Sequence, residues 1–96
     1  MRVEITHSVD IVRGQRYAYD IFRFSDGSAT LVARGYSDAP TEAHFLRIET
    51  GSSSAGITSA DLARPLLKEA VTHLRSIGKT SLEWLNIEGS GYEPVP

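Results

Sequence analysis

The residues best suited to chemistry lie in one Gly/Ser-rich stretch that leads into a helical pattern. Gly51-Ser52-Ser53-Ser54-Ala55-Gly56 comes shortly before Thr58, where a helix is expected to begin. Backbone N–H groups at a helix N-terminus carry partial positive charge and can hold a phosphate or a carboxylate. This pattern makes a small-ligand or coenzyme site one hypothesis, with these candidate residues: Gly51, Ser52, Ser53, Ser54, Gly56 and Thr58. The competing interpretation is a solvated connection, since the stretch lacks the phosphate-loop motif.

The order of strand, loop, helix and strand around this stretch resembles the cofactor-binding core of the acyl-CoA N-acyltransferase superfamily. In that family a Gln/Arg-x-x-Gly-x-Gly/Ala stretch cradles the pyrophosphate of the coenzyme, and Arg47-Ile48-Glu49-Thr50-Gly51-Ser52 is the nearest match here. Ser52 stands where the family has a second Gly or Ala, and the family's earlier helices are missing. The resemblance covers half of the chain at the level of fold and does not establish membership.

Acidic and histidine side chains offer weaker signals for catalysis or metal binding. The element order also resembles a ribonuclease H-like core, whose clustered carboxylates hold Mg²⁺, and the acids at comparable elements are Asp10, Glu69 and Glu88. These are interpreted as solvated surface acids. No ligand spacing relates the three histidines, which are interpreted as core-edge residues: His7, His44 and His73. We therefore predict no metal, no cofactor and no catalytic group, which favours a non-enzymatic protein.

Composition limits the class of protein further. The chain has 96 residues and no cysteine, so we predict a single domain over residues 1–96 without disulfides or thiolate metal sites. The net charge of −2 argues against nucleic-acid binding, which favours an excess of Lys and Arg. Because no long apolar run is present, we predict a cytoplasmic protein without a membrane span.

Hydrophobic periodicity predicts five strands and one long helix. The expected strands cover residues 2–11, 17–25, 28–36, 41–49 and 79–88, and the expected helix covers residues 58–77. The order β-β-β-β-α-β predicts a two-layer α+β sandwich: a mostly antiparallel five-stranded sheet with the helix packed on one face. If the last strand is parallel to the fourth, the helix is the crossover between them. Residues 89–96 are expected to form a mobile tail.

The helix carries clear start and stop signals. Thr58 and Asp61 have the spacing of a capping box, and Gly78 suits a left-handed C-cap. Pro65 removes an internal hydrogen bond, so an irregular first turn is expected before it. The leucines of the apolar face are predicted to be nearly fully buried: Leu66, Leu67 and Leu74.

The strands carry more apolar residues than one helix can cover. Large apolar side chains fall on both faces of the second and last predicted strands, and a face without a covering layer often marks an interface. Four of these residues are the candidate interface: Tyr17, Tyr19, Leu82 and Trp84. We therefore expect a small interaction or structural module that forms a homodimer, with face-to-face packing favoured over edge pairing and a separate protein partner as the alternative.

Overall fold

The computed structural model describes residues 1–89 and 91–96. Seven strands, one 3-10 helix and one α-helix follow one another along this part of the chain. Their bounds are β1 (Arg2–Val12), β2 (Gln15–Ser25), β3 (Thr30–Tyr36), β4 (Glu42–Thr50), β5 (Ser53–Ala55), the 3-10 helix (Ser59–Ala63), α1 (Pro65–Ser76), β6 (Ser81–Asn86) and β7 (Gly91–Pro94).

The strands form a mixed sheet in the order β1-β2-β3-β4-β6-β7, with β5 paired to β4 off this path. The β4–β6 pair is parallel and the other pairs are antiparallel, so α1 lies in the crossover that was expected between the fourth and last predicted strands. The α+β class is confirmed, whereas the prediction of a mostly antiparallel five-stranded sheet was wrong. The chain has two further short strands, β5 and β7.

Both additional strands follow turns that the sequence analysis treated as irregular. Gly51 adopts a φ of 60° and turns the Ser-rich stretch back along β4, and Gly91 adopts a φ of 105° where β7 begins. Residues 89–96 were expected to form a mobile tail, of which Ser90 lies outside the described residues. Gly91–Pro94 pairs with β6 and Val95 packs against the core. Glycine adopts a positive φ without steric cost, so the chain can turn sharply at these two positions and form short strands beyond the turns.

The start of the helix follows its sequence signals. Thr58 and Asp61 form the predicted capping box in front of the 3-10 helix. Pro65 occupies the first turn of α1, where a missing N–H is tolerated, so the irregular turn before it is confirmed. Gly78 follows the helix with a φ of 95°, as expected of a left-handed C-cap residue.

One side of the sheet, here called the helix side, packs against α1 and contains the hydrophobic core. Leu66, Leu67 and Leu74 are only 4%, 3% and 0% exposed, which confirms their predicted burial. Leu82 and Trp84 project from β6 into the same core at 6% and 5% exposure. The helix side is therefore a closed layer in which strand and helix residues cover each other.

The opposite side of the sheet, here called the open face, has no helix packed on it. Val32 is nevertheless fully buried there, directly between Arg23 on β2 and Arg47 on β4. Both arginines form ion pairs with Glu49, so one carboxylate links the two long side chains that flank Val32. A register shift in the β3–β4 pair after Val32 leaves Leu46 as an additional residue. Long polar side chains thus cover an apolar residue of the open face.

Candidate functional site

The Gly/Ser stretch forms a small hairpin instead of an open loop. Gly51 and Ser52 make its two-residue turn, because Thr50 pairs directly with Ser53. Ser54 pairs with Glu49, so its backbone belongs to the sheet. Gly56 lies against the side chain of Ile87, where an added Cβ would stand 2.6 Å from Cδ1. Glycine at this position therefore serves close packing between two segments of the chain.

Thr58 has its polar groups directed to a neighbouring carboxylate. Its backbone N–H and its Oγ1 hydroxyl both donate to Oδ2 of Asp61, at 2.8 and 3.0 Å. An internal carboxylate thus occupies the position that an external anion would take at this cap. The α-helix itself begins seven residues after Thr58, at Pro65, which has no N–H to offer.

The four residues of the candidate interface lie in two different environments. Leu82 and Trp84 are buried in the core beneath α1. Tyr17 and Tyr19 lie on the open face, where Tyr17 is 46% exposed and Tyr19 is half-buried. Within this set, only the tyrosines are available at the surface of one chain.

A row of polar side chains crosses the open face from β3 to β6. The hydroxyl of Tyr36 lies 3.0 Å from Nδ1 of His44, and Nε2 of His44 lies 3.2 Å from Oε1 of Glu83. Tyr92 of β7 covers the imidazole, with 4.2 Å between ring centroids. The imidazole of His44 thus lies between the hydroxyl of Tyr36 and the carboxylate of Glu83.

Tyr36 is unsuited to act as a nucleophile or base in this row. Burial raises the pKa of its phenol, and neighbouring Tyr92 raises it further, which together outweigh the charge of Arg34. The phenol consequently stays protonated at neutral pH and shares a hydrogen bond with Nδ1 of His44. The row resembles a catalytic triad only in the order of its groups.

Arg34 of β3 is the unusual cation of the open face. Its guanidinium carbon lies 4.8 Å from the ring centroid of Tyr19, which provides a cation–π contact. Its Nε is buried without a hydrogen-bond acceptor, and no carboxylate among residues 1–89 and 91–96 forms an ion pair with it. Arg34 also lines a cavity of about 340 Å³ together with Tyr17, Tyr19 and Tyr36.

The other candidate groups remain apart. Asp10, Glu69 and Glu88 are exposed on different elements, and His7 pairs with Asp20 at the exposed β1–β2 hairpin. His73 packs edge-on against Phe24, with 5.7 Å between ring centroids. Within the part of the chain that the structure describes, no group of three or more His, Asp or Glu residues is arranged to hold a metal ion.

The residues that make up the open-face row were not predicted from the sequence. His44 was noted only as a core-edge histidine, and Arg34, Tyr36 and Glu83 were not singled out. One signal was present: Arg34 is a charged residue directly after the apolar run Leu31-Val32-Ala33. The strand register was also needed, because it places Arg34 opposite His44 and His44 opposite Glu83.

Comparison with known proteins finds no relative of this chain. No family model, curated protein or solved structure matches the chain. Among the described residues, no helix has the length and apolar character needed to cross a bilayer.

Proposed function

We propose that this protein is a non-enzymatic interaction module that forms a homodimer by antiparallel pairing of β1 with β1 of a second copy. The observation that carries the proposal is the position of β1, which is 11 residues long and lies at the end of the sheet order. Alternate residues of an edge strand direct N–H and C=O groups away from the sheet, and such a row is a template for another strand.

Contact with a second copy would bury apolar side chains of β1 that are exposed to solvent in one chain. Ile5, Val9 and Ile11 lie in one row on the helix side and are 47%, 48% and 74% exposed. The core helix contacts β2, and Val3 near the start of β1 packs against the core, whereas Ile5, Val9 and Ile11 are not part of it. The opposite edge of the sheet differs, since β7 has only four residues and ends at Pro94. A short edge strand that carries proline resists pairing with another strand. By contrast, β1 is long and contains no proline.

Charge selects one register for the β1–β1 pair. Centring the two-fold axis on Thr6 places Arg2 opposite Asp10 of the second copy, twice in the dimer. Centring it on His7 places Glu4 opposite Asp10 instead, which is unfavourable because like charges face each other across the pair. Both registers bring the apolar rows of the two copies together on the helix side. The Thr6-centred register is therefore the proposed one.

Edge pairing replaces the face-to-face packing that the sequence pattern favoured. Leu82 and Trp84 belong to the core of one chain, and the open face carries ion pairs and the Tyr36–His44–Glu83 row. Burying such polar groups in a dimer costs free energy unless each finds a partner. The edge of β1 offers unpaired backbone groups and exposed apolar residues together.

Sedimentation equilibrium tests the dimer at micromolar concentrations. We expect a mass that approaches twice the 10.5 kDa of one chain as concentration rises. The double variant Ile5→Lys/Val9→Lys should raise the dimer dissociation constant about tenfold or more, since inward-facing charges block edge pairing. Ile77→Lys is the matched control, because Ile77 is 49% exposed and lies outside the sheet. A mass of one chain at every concentration would reject the proposal.

A charge exchange tests the register. Arg2→Asp and Asp10→Arg should each weaken the dimer, and the combined variant should restore it, because the opposite charges then face each other again. In the His7-centred register, Asp10→Arg alone would strengthen the dimer through Glu4. That result would keep edge pairing and reject the Thr6-centred arrangement.

A further inference from the structure

Three arginines of the open face have different partners. Arg23 donates to Oε1 of Glu49 at 2.5 Å, and Arg47 lies 3.1 Å from Oε2 of the same carboxylate. Arg34 lies on β3 between their two strands, half-buried, and no carboxylate of the described residues pairs with it. Buried or half-buried charges are ordinarily paired, so Arg34 lacks an anion that its neighbours possess.

The cavity beside Arg34 is suited to a flat molecule. Its volume of about 340 Å³ is at the lower end of small-molecule sites. Tyr17, Tyr19 and Tyr36 supply aromatic walls, and Val12 adds an apolar surface. Arg34 already places its guanidinium over the Tyr19 ring, and its Nε is buried without a hydrogen-bond acceptor.

We infer that this cavity binds a small aromatic carboxylate. The carboxylate accepts hydrogen bonds from the edge of Arg34, with a rotation of that side chain turning Nε toward the ligand. The ring of the ligand packs among the tyrosines. Arginine suits this role because its planar fork matches the two oxygens of a carboxylate.

The charged residues around the cavity favour a ligand with a single negative charge. Asp10 and Asp38 line it together with Arg16 and Arg34, so its fixed charges balance. A phosphate with two charges would meet the two carboxylates as well as the two cations. A carboxylate places one charge at Arg34 and directs its apolar part away from the acids. The cavity is on the open face beside the β1 edge, since Asp10 and Val12 of β1 line it together with residues of β2 and β3. Arg34, which holds the carboxylate, lies on β3 and is not part of the proposed β1–β1 pair.

Three probes of similar size test the inference on the unmodified chain by NMR titration. Phenylpropanoate carries a ring and a carboxylate, phenethylamine replaces the carboxylate with a cation, and cyclohexylpropanoate replaces the aromatic ring. We expect phenylpropanoate to bind at least about tenfold more tightly than either of the others, with amide shifts at Tyr17, Tyr19, Arg34 and Tyr36. Equal binding of phenethylamine, or shifts confined to residues 51–61, would overturn the proposal.

A matched pair of arginine variants assigns the charge. Arg34→Gln should weaken phenylpropanoate binding about tenfold or more, as expected for the loss of a charged hydrogen-bond donor. Arg75→Gln, on the exposed surface of α1, should leave the dissociation constant within about twofold. A melting curve for each variant confirms that it is folded. If Arg34→Gln binds the probe as well as the unmodified chain, the proposal is wrong.

Discussion

The helix side and the open face belong to the same sheet but are covered in different ways. On the helix side, strand residues such as Phe45 and Trp84 are buried by helix residues such as Leu74. On the open face, Val32 reaches the same complete burial between two arginines that share Glu49. The comparison teaches that a single-layer face can exclude water locally when long side chains are held across it by ion pairs.

The two faces also differ in the polar side chains that they contain. Lys79 is the buried polar residue of the described chain, and its stem lies over Gly35, where an added Cβ would stand 3.2 Å from Nζ. The open face instead carries the row from Tyr36 through His44 to Glu83, and next to it Arg34. Stability should therefore depend mainly on the helix side, whereas the proposed ligand cavity lies on the open face.

The largest predicted effect concerns the helix side. Leu74 is fully buried, so Leu74→Ala should lower the free energy of unfolding by about 2–5 kcal/mol through lost burial and a residual cavity. Urea unfolding followed by circular dichroism measures the loss. Ile77→Ala serves as the control, since this exposed residue should change stability by less than about 0.5 kcal/mol. A loss below about 1 kcal/mol for Leu74→Ala would show that packing of the helix on the sheet is not a main source of stability.

An intermediate effect is expected for the polar row of the open face. Tyr36→Phe removes the hydrogen bond to His44 and should cost about 1 kcal/mol at neutral pH. Because burial raises the pKa of Tyr36 above its ordinary value of 10.0, the stability it contributes is present below pH 10 and is lost as the pH rises further.

Unfolding experiments across the alkaline range check this sign. The unmodified chain should lose stability more steeply above pH 10 than Tyr36→Phe does. Parallel curves for the two proteins would mean that the Tyr36 environment on the open face does not disfavour its ionised form.

The smallest effect is expected for the ion pairs over Val32. Glu49→Gln should cost less than about 1 kcal/mol, as is usual for partly exposed pairs. Hydrogen bonds from Arg23, and then from Arg47, lower the pKa of Glu49 below 4.5, so its contribution is present above that pH and is lost as the pH falls. Acid unfolding of Glu49→Gln should accordingly be less steep than that of the unmodified chain.

Part of the acid dependence should persist in Glu49→Gln. Backbone N–H groups of Ser28 and Ala29, and the Ser28 hydroxyl, lower the pKa of Asp26 to about 2. A variant with no remaining acid dependence would contradict this assignment, whereas one that unfolds like the unmodified chain would show that Glu49 is not linked to folding.

Local signals in the sequence predicted the helix better than the sheet. The Thr58–Asp61 capping box, Pro65 and Gly78 each act through neighbouring backbone groups, and all three were found where predicted. The short strands β5 and β7 were missed because pairing over three or four residues depends on a strand elsewhere in the chain. The Gly/Ser site remains a prediction, although Asp61 occupies the position that an anion would need.

The sequence by itself determined the elements whose causes are local: the amphipathic helix with its caps and the alternation that assigns residues to strand faces. Tertiary structure alone decided which strands meet. The parallel β4–β6 pairing brings Glu83 to His44, and the β3–β4 pairing brings His44 to Arg34 and Tyr36. The physical reason is that strand partners are set by long-range hydrogen bonding and core packing, which no window of neighbouring residues contains.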